Sequence, residues 1–330
     1  MTLAPTAPAV GQTPRQTIWR LNKARLYRYE SRRTRGVPIL FSYALINRPY
    51  ILDLQPGASL VEYLTGEGYD VYVLDWGTPG EEDAHLTFDD YVVGTLPRAA
   101  REVLRASGQP ELTLIGYCMG GTMAGMYTAL HPGGPVRNLV LLTAPCDFSK
   151  PGVMERWLAP ENFDADHVAR AFRLVPADFL NMGTKGLKPI QNYVSPWVRL
   201  AERGESESFV RTWRAMNTWV NDGVPFAGAA YRQWIHDFYQ HNKLAKGDLE
   251  LGGRRVDLSA ITCPVLNVSA SEDHLVPAHQ SEAWLHRISS EDKTALTIRG
   301  GHVGIVASPR SSGDFFPKLA AWLEPRSEVR

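Results

Sequence analysis

Cysteine is scarce in this chain. There are three among 330 residues, Cys118, Cys146 and Cys263, far apart and without a CxxC pair. That spacing excludes a zinc knuckle and a disulfide framework, and it fits a reducing compartment. An excess of either charge is also missing: Lys and Arg total 35, Asp and Glu total 35, and the formal net charge is zero. Neither the basic footprint of a nucleic-acid binder nor an acidic solvating tail is present, although a local cluster for an anionic substrate can hide inside such a balance. No apolar run approaches the roughly 18 residues of a membrane span. Met1–Arg15, rich in Pro, Thr and Ala, lacks the basic start and apolar core of a secretory signal. No internal repeat is found. These absences predict a soluble, cytoplasmic protein with residues 1–15 disordered, no metal and no nucleic-acid partner; a surface that sits on a lipid or polymer body is still compatible with them.

What is present is apolar residue in quantity, 44% of the chain, enough for one sizeable core with length to spare for an insertion. Short apolar runs at Val37–Ala44, Tyr69–Trp76, Glu111–Gly116, Val136–Thr143, Cys263–Ala270 and Thr294–Arg299 read as strands. Helical patterns fall between them at Ser59–Gly66, Phe88–Ala106, Met119–Leu130, Pro277–Ile288 and Ser311–Leu323. Near-continuous apolar strands alternating with helices predict an α/β fold with a mostly parallel sheet covered on both faces. The rhythm breaks over residues 148–258, where aromatics such as Trp157, Trp197, Trp213, Trp219 and Trp234 are frequent. Residues 16–147 and 259–330 are therefore expected to form the core, and 148–258 an inserted helical cap whose aromatics mostly build its own interior.

The sharpest motif is Gly116-Tyr117-Cys118-Met119-Gly120-Gly121, which follows a strand and opens a helix. That context is the nucleophile elbow, with Cys where most such enzymes carry Ser. A sharp turn lifts the side chain above the sheet, and glycines on either side let strand and helix approach. The helix N-terminus favours a thiolate at Cys118, and the backbone N–H of Met119 is placed to stabilise an oxyanion. A buried structural cysteine in a Gly-rich turn is the plain alternative, but two downstream features weigh against it.

Ser271-Glu272-Asp273-His274 follows the strand ending at Ala270, and Gly300-Gly301-His302-Val303-Gly304 follows the strand ending near Arg299. The chain order nucleophile, acid, base is that of α/β-hydrolases, and sites of parallel sheets lie at the carboxyl ends of strands. Cys118, Asp273 and His302 are thus the candidate triad, with His302 as base and Asp273 orienting it. His274 is an alternative base that would leave the Gly-Gly-His loop unexplained. Asp75 is expected to hydrogen-bond a turn, Glu272 to be solvated, His85, His131, His279 and His286 to lie on surface or loops, and Cys146 and Cys263 to be simply buried. A Cys nucleophile exchanges one thioester for another at little cost, which suits acyl groups carried on coenzyme A. Transfer to a hydroxyl then needs water kept out, a task for a cap.

Longer stretches carry a resemblance. Ser42–Leu54 (SYALINRPYILDL), Tyr72–Gly77, Leu86–Tyr91, the Cys118 box, Phe238-Tyr239-Gln240 with Asn242, Ile261–Asn267, Asp273–Pro277 and Gly300–Ile305 together resemble polyhydroxyalkanoate synthases, over roughly residues 26–323. The resemblance implies an α/β-hydrolase fold and an acyltransferase that polymerises (R)-3-hydroxyacyl-coenzyme A into polyester with release of coenzyme A, without a cofactor. It implies Cys118 as nucleophile with His302 and Asp273 as partners, the acid also helping to activate the incoming hydroxyl, and a second oxyanion donor near Leu45. The chain lacks the long N-terminal domain of single-subunit synthases and looks like the short catalytic subunits that act on short-chain substrates. That implies a homodimeric core, a second synthase subunit and association with polyester granules. Competing readings are a Cys-dependent hydrolase similar to dienelactone hydrolase, an acyl-CoA thioesterase, and an inactive granule-associated scaffold.

Overall fold

The computed structural model describes residues 8–29, 31 and 35–328. Eight strands of the described residues form one sheet: β1 (Gln16–Leu21), β2 (Ala24–Tyr29), β3 (Arg35–Ser42), β4 (Tyr69–Asp75), β5 (Leu112–Tyr117), β6 (Val136–Leu142), β7 (Val265–Ala270) and β8 (Lys293–Ile298). Their spatial order is β1-β2-β4-β3-β5-β6-β7-β8. From β4 through β8 every neighbouring pair is parallel. Every residue of β5 and β7 is buried, so both faces of the sheet centre are covered, as unbroken apolar strands require. The helix Met119–Leu130 is buried on all twelve of its residues, as an all-round apolar helix must be.

The antiparallel pair β1–β2 extends the sheet beyond β4 and was not anticipated from sequence. Its strands carry Arg20, Arg25 and Arg28, which mask the strand pattern. Arg28 forms a fork with buried Asp70 at 3.0 and 2.9 Å, and Arg15 lies 4.2 Å over the Tyr27 ring. Residues 1–7 fall outside the described residues. The expected disorder does not extend across residues 11–15: buried Asp53 accepts the Thr13 N–H at 3.1 Å and its hydroxyl at 2.7 Å, and Gly11 N–H reaches the Asp53 carbonyl at 2.9 Å.

Two expected helices are broken by proline. The pattern at residues 88–106 is π-helical over Asp89–Thr95 and α-helical only from Leu96 to Ser107. Pro97 has no N–H to continue the ladder, and Leu96 N–H reaches back five residues to Tyr91. The last helix splits into Pro309–Gly313 and Phe315–Leu323. Other boundaries follow their local signals: Ser59 accepts the Glu62 N–H at 2.9 Å, and left-handed Gly108 closes the helix Leu96–Ser107.

Between β6 and β7 the chain runs through helices that include Ala165–Phe172, Ala177–Gly186, Ser195–Arg203 and Glu207–Asn221, with two short antiparallel pairs, Leu174–Val175 to Phe226–Ala227 and Glu250–Leu251 to Arg254–Arg255. Its root is an aromatic cluster in which Phe148, Trp234 and Phe238 stack around Phe88 of the core. A second tie binds it to the loop after β3. Trp219 Nε1 donates to the Arg48 carbonyl at 2.8 Å, Tyr50 donates to Asp222 at 3.1 Å, and Val224 N–H donates to the Ile46 carbonyl at 2.9 Å. Trp219 and Trp234 are interior, but Trp157 and Trp197 are 42% and 58% exposed, so the insertion's aromatics are not all core.

Candidate active site

The carboxyl ends of β5, β7 and β8 bring the three predicted residues together. Cys118 stands between β5 and the helix Met119–Leu130 at φ +55, a left-handed conformation that a non-glycine residue holds only under constraint. The constraint is visible: its N–H donates to the Leu142 carbonyl at 2.9 Å, and its carbonyl receives Gly121 N–H at 2.9 Å. A Cβ on Gly120 would overlap the Ser42 carbonyl oxygen, and one on Gly116 would overlap the Gly121 Cα, so strand and helix meet at contact distance. Met119 is the first residue of the helix, where an N–H has no partner within the helix.

Asp273 follows β7. Its Oδ1 accepts the N–H groups of Leu275 at 2.8 Å and Val276 at 2.9 Å, while Oδ2 accepts from His302 Nδ1 at 2.6 Å. The Asp273 side chain is fully buried and that of His302 is 8% exposed. His302 rides on the loop after β8, and the two loops are joined by Glu272 N–H to the Gly300 carbonyl at 2.8 Å. With Nδ1 committed to the carboxylate, Nε2 is the ring nitrogen left for Cys118, whose charge acts on the ring. Burial alone depresses the His302 pKa, but the charges of Asp273 and Cys118 outweigh it and raise the ring to about 10. Burial raises the Asp273 pKa, and the His302 charge with the three hydrogen bonds overcomes it, leaving the carboxyl below its ordinary value.

Several supporting residues were not assigned a role from sequence. Tyr117 inside the box donates its hydroxyl to the His302 carbonyl at 3.1 Å and stacks on Tyr43 with ring centroids 5.5 Å apart. Trp76 Nε1 donates to the Tyr43 carbonyl at 2.8 Å, fixing the loop after β3. Tyr239 is half-buried, and desolvation together with the charges of Cys118 and Asp273 pushes its phenol upward, which puts it within electrostatic reach of both. The motif Phe238-Tyr239-Gln240 was visible in sequence, but nothing local tied it to Cys118.

The remaining candidates separate clearly. His274 lines the cavity above Cys118 and makes no hydrogen bond to the triad among the described residues; burial and then Lys188 depress its pKa. Asp75 accepts the Gly77 N–H at 2.9 Å and so holds a turn. Glu272 is exposed. His85, His279 and His286 are exposed, and His131 Nδ1 donates to the Tyr127 carbonyl at 2.8 Å on the opposite end of its helix. Cys146 is buried, and burial drives its thiol far up; Cys263 is only partly buried, contrary to expectation, because it precedes β7, yet burial still raises it to about 11. Leu45 is buried and lines a small cavity behind the loop, while its neighbours Ala44 and Ile46 face Cys118's cavity.

That cavity has a volume of about 1020 Å³ and reaches from Cys118 and His302 to the helices Ala177–Gly186, Ser195–Arg203 and Glu207–Asn221. A half-buried cysteine beside a histidine that is itself hydrogen-bonded to a carboxylate can activate a thiol for acyl transfer.

Comparison with known proteins agrees with the geometry. The model of the alpha/beta hydrolase fold family matches residues 38–307. The chain is 44% identical over 324 residues to the poly(3-hydroxyalkanoate) polymerase subunit PhaC of Haloferax mediterranei, covering 97% of this chain and 66% of that one. It is 38% identical to that of Allochromatium vinosum, covering 96% and 90%, and 37% identical to that of Synechocystis sp., covering 96% and 86%. It thus spans just under two thirds of the Haloferax protein and most of the other two. Among solved structures, a soluble variant of monoglyceride lipase from Saccharomyces cerevisiae superposes with a TM-score of 0.60 at 15% identity over 99% of this chain and all of that one. The monoacylglycerol lipase of Paleococcus ferrophilus gives 0.58 at 17% identity, covering 91% and 99%. These distant structures speak for the fold alone, whereas the relatives above 30% identity speak for the family: the chain belongs to the poly(3-hydroxyalkanoate) polymerases of the PhaC type, built on the α/β-hydrolase fold.

Proposed function

We propose that this chain polymerises (R)-3-hydroxyacyl-coenzyme A, with short acyl groups such as 3-hydroxybutyryl, into polyester and releases coenzyme A. The observation that carries the reading is the series Cys118–His302–Asp273 at the floor of a large cavity roofed by the helical insertion, in a chain of this family. In the first half-reaction His302 takes the Cys118 proton and the thiolate attacks the thioester carbonyl. The oxyanion is held by Met119 N–H and by a backbone donor near Leu45. The carbon–sulfur bond to coenzyme A breaks, the leaving thiolate takes the proton from His302, and an acyl thioester on Cys118 remains. In the second, His302 accepts the proton of an incoming hydroxyl, whose oxygen attacks the acyl-enzyme carbonyl and forms the ester bond as the carbon–sulfur bond to Cys118 breaks; the departing Cys118 thiolate recovers the proton from His302. Asp273 holds His302 in the required tautomer; its oxygens are already engaged by three donors, which favours orientation over direct contact with the hydroxyl.

No cofactor is needed to balance these steps. The insertion acts as a cap that keeps water from the acyl-enzyme. The wider proposal includes a homodimeric catalytic core, a second synthase subunit and a location at polyester granules; among the described residues no helix is long and apolar enough to cross a membrane.

The test is thiol release from (R)-3-hydroxybutyryl-coenzyme A with sizing of the acyl product, Cys118→Ala serving as control. Thiol release with insoluble polyester, lost in the variant, supports the proposal. Free 3-hydroxybutyrate as the sole product would replace it with a hydrolase or thioesterase. Silence even with a candidate partner subunit would leave the scaffold reading.

A further inference from the structure

The cavity that opens from Cys118 has an uneven charge. Its lining includes Lys185, Arg199 and Arg203, and no Asp or Glu among the described residues. All three lie on the insertion. Arg199 and Arg203 sit four residues apart on the helix Ser195–Arg203 and so share a face. None is spent on a carboxylate among the described residues. Arg199 gives only its Nε, to the Ser195 carbonyl one turn back at 3.3 Å, so its terminal nitrogens stay uncommitted. The Arg203 guanidinium is held over the Phe209 ring at 4.4 Å, and the Lys185 ammonium lies 5.7 Å from the centre of the Tyr193 ring. Aromatic faces orient a cation without neutralising it.

Three cations lining one cavity without a carboxylate among them give it a field that favours an anionic occupant. Trp197 sits on the same helix. It lines the same cavity and is 58% exposed, although Trp213 meets it edge-on at 4.9 Å. An exposed indole in the same cavity as guanidinium groups suits a ligand with a planar aromatic base as well as phosphates. The same cavity is lined by Cys118 and His302, and by apolar side chains that include Ile46, Leu180 and Met216. A molecule that matches this lining carries an acyl group for Cys118 and a polyanionic portion for the cations.

We propose that Lys185, Arg199 and Arg203 bind the phosphate groups of the thioester's nucleotide end, and that Trp197 stacks on its base. The inference rests on the acyl-coenzyme A reading and assigns the nucleotide half of that substrate to the insertion rather than to the sheet core. The cap then selects the carrier, while the core performs the chemistry.

The experiment compares two thioesters on the full-length chain: (R)-3-hydroxybutyryl-coenzyme A and (R)-3-hydroxybutyryl-pantetheine, which lacks the nucleotide. In Arg199→Ala/Arg203→Ala, KM for the coenzyme A thioester rises about tenfold or more while kcat holds, as expected for the loss of charge-assisted contacts made equally in ground and transition states. KM for the pantetheine thioester does not move, and Arg199→Lys/Arg203→Lys retains part of the affinity. An equal rise for both thioesters, or no rise for either, overturns the proposal. Binding of free coenzyme A, read by quenching of tryptophan fluorescence in wild type and double variant, separates this inference from the catalytic reading. Should the wild type turn over neither thioester even with a candidate partner subunit, the synthase reading fails, and the binding comparison alone decides: affinity lost in the variant sustains the site, while equal or absent affinity overturns it. Lys185→Ala replaces the double variant if the latter does not fold.

Discussion

Replacing Asp273 by Asn tests the site at the point where its geometry is most constrained. Asp273 Oδ1 faces two backbone N–H groups, from Leu275 and Val276 at 2.8 and 2.9 Å. An asparagine amide set against them would collide donor to donor, so its oxygen must take that position. The amide NH₂ is then forced onto Oδ2's place, 2.6 Å from His302 Nδ1. Nδ1 becomes an acceptor and the ring proton moves to Nε2, the nitrogen that has to receive the Cys118 proton. The backbone stays where it is while the base is locked in the wrong tautomer. The same inversion in serine-protease triads costs roughly 10⁴ in kcat, or about 5.4 kcal/mol of barrier at 1.36 kcal/mol per decade. A loss of about 10³–10⁴-fold is expected here, because His302 has the same single orienting partner. The assay is initial thiol release from (R)-3-hydroxybutyryl-coenzyme A at neutral pH, with a thermal melt to establish folding. A folded variant with kcat within about tenfold of wild type would refute the tautomer argument.

Three other outcomes are expected. Gly120→Ala drives a Cβ into the carbonyls of Ser42 and Tyr43, which are backbone and cannot turn aside; it should lower stability by about 1–3 kcal/mol or prevent folding, and an unchanged denaturation midpoint would contradict the close approach. Trp76→Phe leaves the buried Tyr43 carbonyl without its donor, a loss of about 1–3 kcal/mol measured by chemical denaturation, accompanied by a lower kcat if the loop after β3 supplies an oxyanion donor. The His302–Asp273 pair should also make stability depend on pH. His302 has a folded pKa of about 10, above its ordinary value near 6.5, so its contribution is complete below about pH 6.5 and disappears as pH rises through 10. Asp273 is lowered, so its share is present above its ordinary value of about 3.9 and is lost as pH falls through the folded value. The melting-temperature gap between wild type and Asp273→Asn should therefore narrow from pH 6.5 towards 10, and a constant gap would disprove the linkage.

The triad could be read from sequence because each member follows an apolar strand at a Gly-rich or turn-forming break, and a parallel sheet gathers such breaks at one end. Cys118, Asp273 and His302 needed only chain order and strand identity. The pair β1–β2 was hidden because its solvent face carries arginines whose partners, such as Asp70, are forty residues away. The π-helical stretch before Leu96 depends on which carbonyl an N–H chooses once Pro97 is in place, a competition that no periodicity records. The tie between Arg48, Tyr50 and Asp222 spans more than 170 residues and leaves no local trace. Exposure of Trp157 and Trp197 was equally hidden, since an aromatic side chain looks the same in sequence whether it faces a core or a cavity.

The insertion leaves the sheet at β6 and returns at β7, and those strands are hydrogen-bonded neighbours, with Leu139 opposite Val265 and Leu142 opposite Val268. Two adjacent parallel strands must in any case be joined by a crossover. The chain has drawn that obligatory connection out into the helices that line the cavity, and no strand of the main sheet passes through it. Its outer helices, Ala177–Gly186 and Ser195–Arg203, can therefore change in length or sequence without shifting a strand register, whereas its root at Trp234 and Phe238 and its tie at Asp222 and Val224 are shared with the core. What the cavity admits can thus drift while Cys118 at the end of β5 and His302 after β8 are inherited in place.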